Sequence, residues 1–144
     1  MPTTPASIAS RPSLKYSRVS GQFAVCRLPA DAAVPEWALS GNFFSITRTA
    51  DELSVVCDAH AVPPNIKHEA DWTCLKLEGP FPFTQTGVLV SFIQPLSDRA
   101  IPIFAISTFD TDYVFVKEPW LEKSLEALHD AGHRPAESVH ANSR

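Results

Sequence analysis

Glycine is scarce, with 5 in 144 residues. That leaves little material for the loops that cradle phosphates, and neither G-x-x-x-x-G-K-[ST] nor G-x-G-x-x-G occurs. No stretch approaches the ~18 uninterrupted apolar residues of a membrane-spanning helix. Positive charge is not in excess either: 12 Lys and Arg stand against 16 Asp and Glu, a net charge of -4. A nucleic-acid or anionic-membrane surface would normally be basic. Cys26, Cys57 and Cys74 are odd in number and far apart, with no C-x-x-C. Each lies in an apolar run and reads as a buried, reduced thiol of a cytosolic protein. The opening "MPTTPASIASRPSLKYSRVSG" has no apolar h-region, so it reads as a flexible leader over residues 1–19 and not as a secretory signal.

What is present is a soluble globular composition, 44% apolar and 19% charged, enough for one core or for two very small modules sharing one. "QFAVCRL" (22–28) is a β-like run and "ADAAVPEWAL" (30–39) a short helix broken at Pro35. "FFSITRT" (43–49) and "LSVVCDA" (53–59) form a hairpin across the polar "ADE". "VPPNIKHEAD" (62–71) is a connector. "WTCLKLEG" (72–79) alternates as a strand, and "GPFPF" is a rigid loop leading to Thr84, a plausible N-cap. Val88, Leu89, Phe92, Ile93 and Leu96 then recur at helical spacing, with Pro95 tightening the end. "IPIFAIS" (101–107) and "DYVFVK" (112–117) are strands. Pro119 opens a last helix carrying Leu121, Leu125 and Leu128, which Gly132 ends.

The order is β-α-β-β, connector, β-α-β-β-α: one unit twice. It predicts an α+β protein of two ferredoxin-like modules, with antiparallel sheets covered by helices on one face. The first copy lacks a second helix, so the two modules are expected to share secondary structure.

The runs "ISTFDTDYVFVKE", "FFSITRTADELSVVC" and "CLKLEGPFPFTQTGVL" resemble the ACT-domain family, in the branch of the CASTOR-type arginine sensors and short bacterial proteins of two fused ACT-like units. The resemblance covers about residues 20–133. It implies a first unit at 20–70, a second at 71–133 and a polar tail at 134–144. It also implies a non-catalytic amino-acid sensor that works as a homodimer and acts through ligand-dependent association with another protein, with no cofactor. The family's ligand site would place a loop at Phe81, Pro82, Gln85 and Thr86. A hairpin would follow at Thr108, Phe109, Thr111 and Asp112, with a partner's edge strand at Ile101, Pro102 and Ile103. Arginine sensors carry an acid where this chain has Gln85 and a glycine where it has Pro82, so the ligand carried over is an amino acid and not arginine. In those sensors the matching hairpin also touches a downstream protein, which would make Phe109, Asp110 and Asp112 partner-facing.

The residues themselves support the same place. The helix start after "PFTQTG" offers backbone N–H groups to a carboxylate, and Gly87 leaves the approach open. Asp110 or Asp112 could hold an ammonium. Equally, "FDTD" can simply shape its own turn, Phe109 can be core, and Thr84 and Gly87 can be only a helix start.

Other chemistries find less. Cys57, His60, His68 and Cys74 loosely resemble a zinc set, but i and i+3 on a strand face opposite ways. His60 and His68 read as solvated loop residues; His129, His133 and His140 read as surface groups. Ser107, Asp110 and a histidine could be drawn as a triad, yet no G-x-S-x-G elbow exists. Arg27 in "RLPADA" lacks an anion-cradling loop. The alternative to a sensor is a dimerising protein-interaction module with no ligand.

Overall fold

The computed structural model describes residues 12–82, 85 and 87–136. The chain divides into two compact units, residues 18–74 and a discontinuous unit of residues up to 17 together with those from 75 on. Two strands, β1 (Lys15–Leu28) and β4 (Lys67–Leu77), belong to both.

In the unit of residues 18–74, β2 (Ser45–Arg48) and β3 (Leu53–Asp58) form the expected hairpin. The strand order is β2-β3-β1-β4. β3 runs antiparallel to β1, with Cys26 opposite Val55 and Ala24 opposite Cys57. Residues two apart on a strand face one way. Ala24 and Cys26 therefore meet Leu53, Val55 and Cys57 in one buried cluster, closed by Ala38. The helix predicted over 30–39 is reduced to a 3₁₀ turn, Glu36–Ala38. Pro35 sits in extended conformation immediately before it and has no N–H to continue a longer helix backwards.

The discontinuous unit holds α1 (Val88–Asp98), β5 (Ile103–Ser107), β6 (Asp112–Lys117) and α2 (Leu121–Asp130), the last entered through a 3₁₀ turn at Glu118–Trp120. β4 lies beside β6 and β6 beside β5, which forms an edge. Val88, Phe92 and Leu96 project at helical spacing from α1 and Leu121 and Leu128 from α2. They bury against Leu75, Leu77, Val114 and Val116 of the strands. Leu14 and Tyr16 belong to the same core.

Several expectations need correction. Residues 15–19 are not leader: β1 begins at Lys15 because a short strand, β7 (Arg134–Pro135), pairs with it in parallel. The same pairing removes residues 134 and 135 from the expected tail. The connector ends earlier than predicted, since β4 starts at Lys67. His133 is not a surface group. It is 1% exposed, and its Nδ1 accepts the backbone N–H of Leu14 at 3.0 Å. Thr84, the expected N-cap, and His140 lie outside the described residues, and Gly87 occupies the N-cap of α1.

Candidate functional site

The discontinuous unit carries a groove of about 270 Å³ between the loop entering α1 and the turn of the β5–β6 hairpin. On the loop side it is lined by Phe81, Pro82, Gln85 and Gly87, and then by Val88, Leu89 and Val90 of the first helical turn. On the hairpin side the lining runs from Ser107 to Asp112.

The hairpin wall is built by its own hydroxyls. The backbone N–H of Thr108 donates to Thr111 O at 2.8 Å, and the Thr108 hydroxyl donates to the same oxygen at 3.0 Å. Thr111, 6% exposed, turns inward and donates its hydroxyl to Leu77 O at 2.8 Å, which fastens the turn to β4. Ser107 donates its hydroxyl to Asp112 Oδ1.

The loop wall is tied to the hairpin by one backbone bond, from Phe81 N–H to Asp110 O at 3.0 Å. Gly79 makes that approach possible. A Cβ there would stand 3.0 Å from both Asp110 O and Phe81 N. Gly87 adopts φ 81, and a Cβ there would meet nothing within 4 Å among the described residues. The first N–H groups of a helix lack intrahelical partners, and the N-cap residue of α1, Gly87, has no side chain with which to cap them.

Of the residues singled out in the sequence, Phe81, Pro82, Gln85, Gly87, Thr108, Phe109, Asp110, Thr111 and Asp112 therefore surround one groove. Thr86 lies outside the described residues. Ile101 is 4% exposed and belongs to the core beneath α1. Pro102 and Ile103 precede and open the edge strand β5 without lining the groove. Phe109 is not core: it is 79% exposed at the tip of the hairpin. Sequence reasoning missed Gly79, whose need for a missing side chain shows only once Asp110 is folded against it.

Among the described lining residues the charged side chains are Asp110 and Asp112, and none is basic. Among the described residues no three His, Cys, Asp or Glu side chains gather where they could hold a metal ion, and no helix is long and apolar enough to cross a membrane. The three cysteines are free and buried. Burial pushes the Cys26 and Cys74 thiols up to about 12 and raises Cys57 as well.

Residues 67–130 match the family model of an ACT domain, and residues 21–65 match a model of an N-terminal domain. The human "Putative protein CASTOR3P" is 31% identical over 88 residues, 52% of this chain, and the match takes in 54% of that relative, about half its length. The crystallised protein Atu0741 from Agrobacterium tumefaciens is 44% identical, with a TM-score of 0.82 over 86% of this chain and 92% of its own. The regulatory subunit of aspartate kinase from Thermus thermophilus shares the fold at 11% identity, with a TM-score of 0.54 over 83% of this chain and 95% of its own. The α+β architecture, the groove beside the start of α1 and these likenesses converge: residues 67–130 of this chain are an ACT domain.

Proposed function

We propose that this protein is a regulatory sensor with no catalytic step of its own, built from two ACT-like units. It takes up a free α-amino acid in the groove beside α1, and occupancy changes its association with another protein. The observation that carries this reading is the polarity of the groove. One wall is a helix start whose N-cap residue is a glycine; the facing hairpin carries Asp110 and Asp112. The positive end of a helix suits a carboxylate and an Asp suits an ammonium, so the two walls match the two ends of a zwitterion. The ACT domain, a regulatory domain, supports the role.

The working form is a cytoplasmic homodimer. Among the described residues β5 pairs with β6 alone, and an edge left open invites pairing. A second copy laid along it would cover the edge and bring its Pro102 and Ile103 near the site. Three free, buried thiols agree with a reducing compartment.

The test is thermal unfolding against each of the twenty amino acids at millimolar concentration. A ligand at a hundred times its dissociation constant adds roughly 2.7 kcal/mol, a shift of several degrees. Asp112→Ala should abolish the gain. No shift from any amino acid would overturn the sensor and leave the second reading, a dimerising interaction module. That reading is favoured by the 79% exposure of Phe109, which would then face a protein together with Asp110 and Asp112.

A further inference from the structure

We infer that the amino acid bound in this groove has an uncharged, apolar side chain, of the leucine, isoleucine, valine, methionine or phenylalanine class. The inference rests on the sensor reading above and adds a selectivity to it.

The hairpin's hydroxyl groups are already engaged. Thr111 donates to Leu77 O, Thr108 to Thr111 O and Ser107 to Asp112. Those donors serve the turn and not a ligand's side chain. Of the remaining described lining residues Gln85 is polar and Phe81, Pro82, Val88, Leu89, Val90 and Phe109 are apolar, so most of that wall is apolar. Two of these sit unusually far in solvent for their size, Phe109 at 79% and Val90 at 46%, one on each wall. Covering them removes apolar surface from water, which an aliphatic or aromatic side chain does and a charged one does not.

Charge argues the same way. An acidic side chain finds no basic partner among the described lining residues. A basic one finds Asp110, which is exposed, where an ion pair contributes little, and Asp112, half-buried but already accepting the Ser107 hydroxyl. It would also compete for the carboxylates that face the ligand's own ammonium. The volume of about 270 Å³ lies just under the ~300–1,000 Å³ typical of drug-sized ligands, as a single amino acid requires.

The experiment is isothermal titration of the full chain with L-leucine, L-isoleucine, L-valine, L-methionine and L-phenylalanine, and with L-alanine, L-arginine, L-lysine, L-aspartate and L-glutamate. One of the first five should bind at least about tenfold more tightly than alanine, the span a pocket reaches on a few methylenes. Phe109→Ala should then erase most of that preference. Tightest binding by arginine, lysine, aspartate or glutamate would overturn this inference and leave the sensor standing. So would an unchanged preference in Phe109→Ala. Binding by none of the ten, and no thermal shift from the other ten amino acids, would overturn both.

Discussion

Nε2 of His133 lies 2.9 Å from the carbonyl oxygen of Ser91, and the cause sits four residues further along α1. Pro95 has no N–H, so the carbonyl of Ser91 loses the helical donor it would otherwise receive. The buried imidazole supplies the replacement. Its other nitrogen accepts from Leu14 N–H, which can only donate, so the proton is on Nε2 and points at Ser91. One ring thus fastens the N-terminal segment and the end of α2 to the middle of α1.

Replacing His133 by Phe keeps a planar aromatic ring, slightly larger, and leaves two buried backbone groups unpaired, at a cost of roughly 2–4 kcal/mol. Urea unfolding at neutral pH measures it. Adding Pro95→Ala should return part of the loss, because the substituted alanine then offers the N–H that Ser91 O lacks. A double variant no more stable than the single one would refute this account of the pair.

Gly79→Ala should loosen the groove without unfolding the unit. Its Cβ would crowd the Phe81–Asp110 bond from 3.0 Å on both sides, and backbone atoms cannot step aside as a flexible side chain can. Amide hydrogen exchange at Phe81 should accelerate by an order of magnitude or more, matching the loss of about 1.4 kcal/mol or more in local opening. Exchange in the core strand β6 should stay slow. Unchanged exchange at Phe81 would show that the close approach matters little.

The buried thiols make stability depend on alkaline pH. Their folded pKa lies above the ordinary 9.0, at about 12 for Cys26 and Cys74. The folded protein therefore holds protons that the unfolded chain releases, and unfolding becomes easier as pH rises. The contribution is complete below about pH 9 and is lost between there and about pH 12. Tyr16, raised from 10.0 by burial with Arg134 opposing, acts in the same direction. The urea midpoint should fall between roughly pH 8.5 and 10.5, and less steeply in a Cys26→Ala, Cys74→Ala double variant. A midpoint flat across that range would contradict the burial of these groups.

Much of the fold is legible in the residues because the signals are local. The period of Val88, Phe92 and Leu96, the alternation in "DYVFVK" and the hairpin over 45–58 each lie within one element. Less legible are the features made by distant partners. "KYSRVS" looks like leader because Tyr16 and Val19 are its only apolar residues, and its strand partners, Arg134 and Pro135, come more than a hundred residues later. His133 at a helix end reads as solvated until Pro95 and Leu14 are seen around it. The place of the groove could be inferred from a family resemblance and a helix start, but the inward turn of Thr111 toward Leu77 could not, since nothing in "STFDTD" says which hydroxyl faces in.

β1 belongs to both units, and this bears on how the gene can be cut. The ACT match begins at residue 67, but the unit that holds most of it, from residue 75 on, draws Leu14 and Tyr16 into its core and ties Leu14 to His133. A fragment beginning at the family boundary would lack both side chains and expose the surface they cover. Domain-swapped chimaeras, fusions or truncations would have to carry the segment with Leu14 and Tyr16 along, joined through a new linker or a permuted terminus. The segment that evolution recognises as a module is not the segment that folds as one.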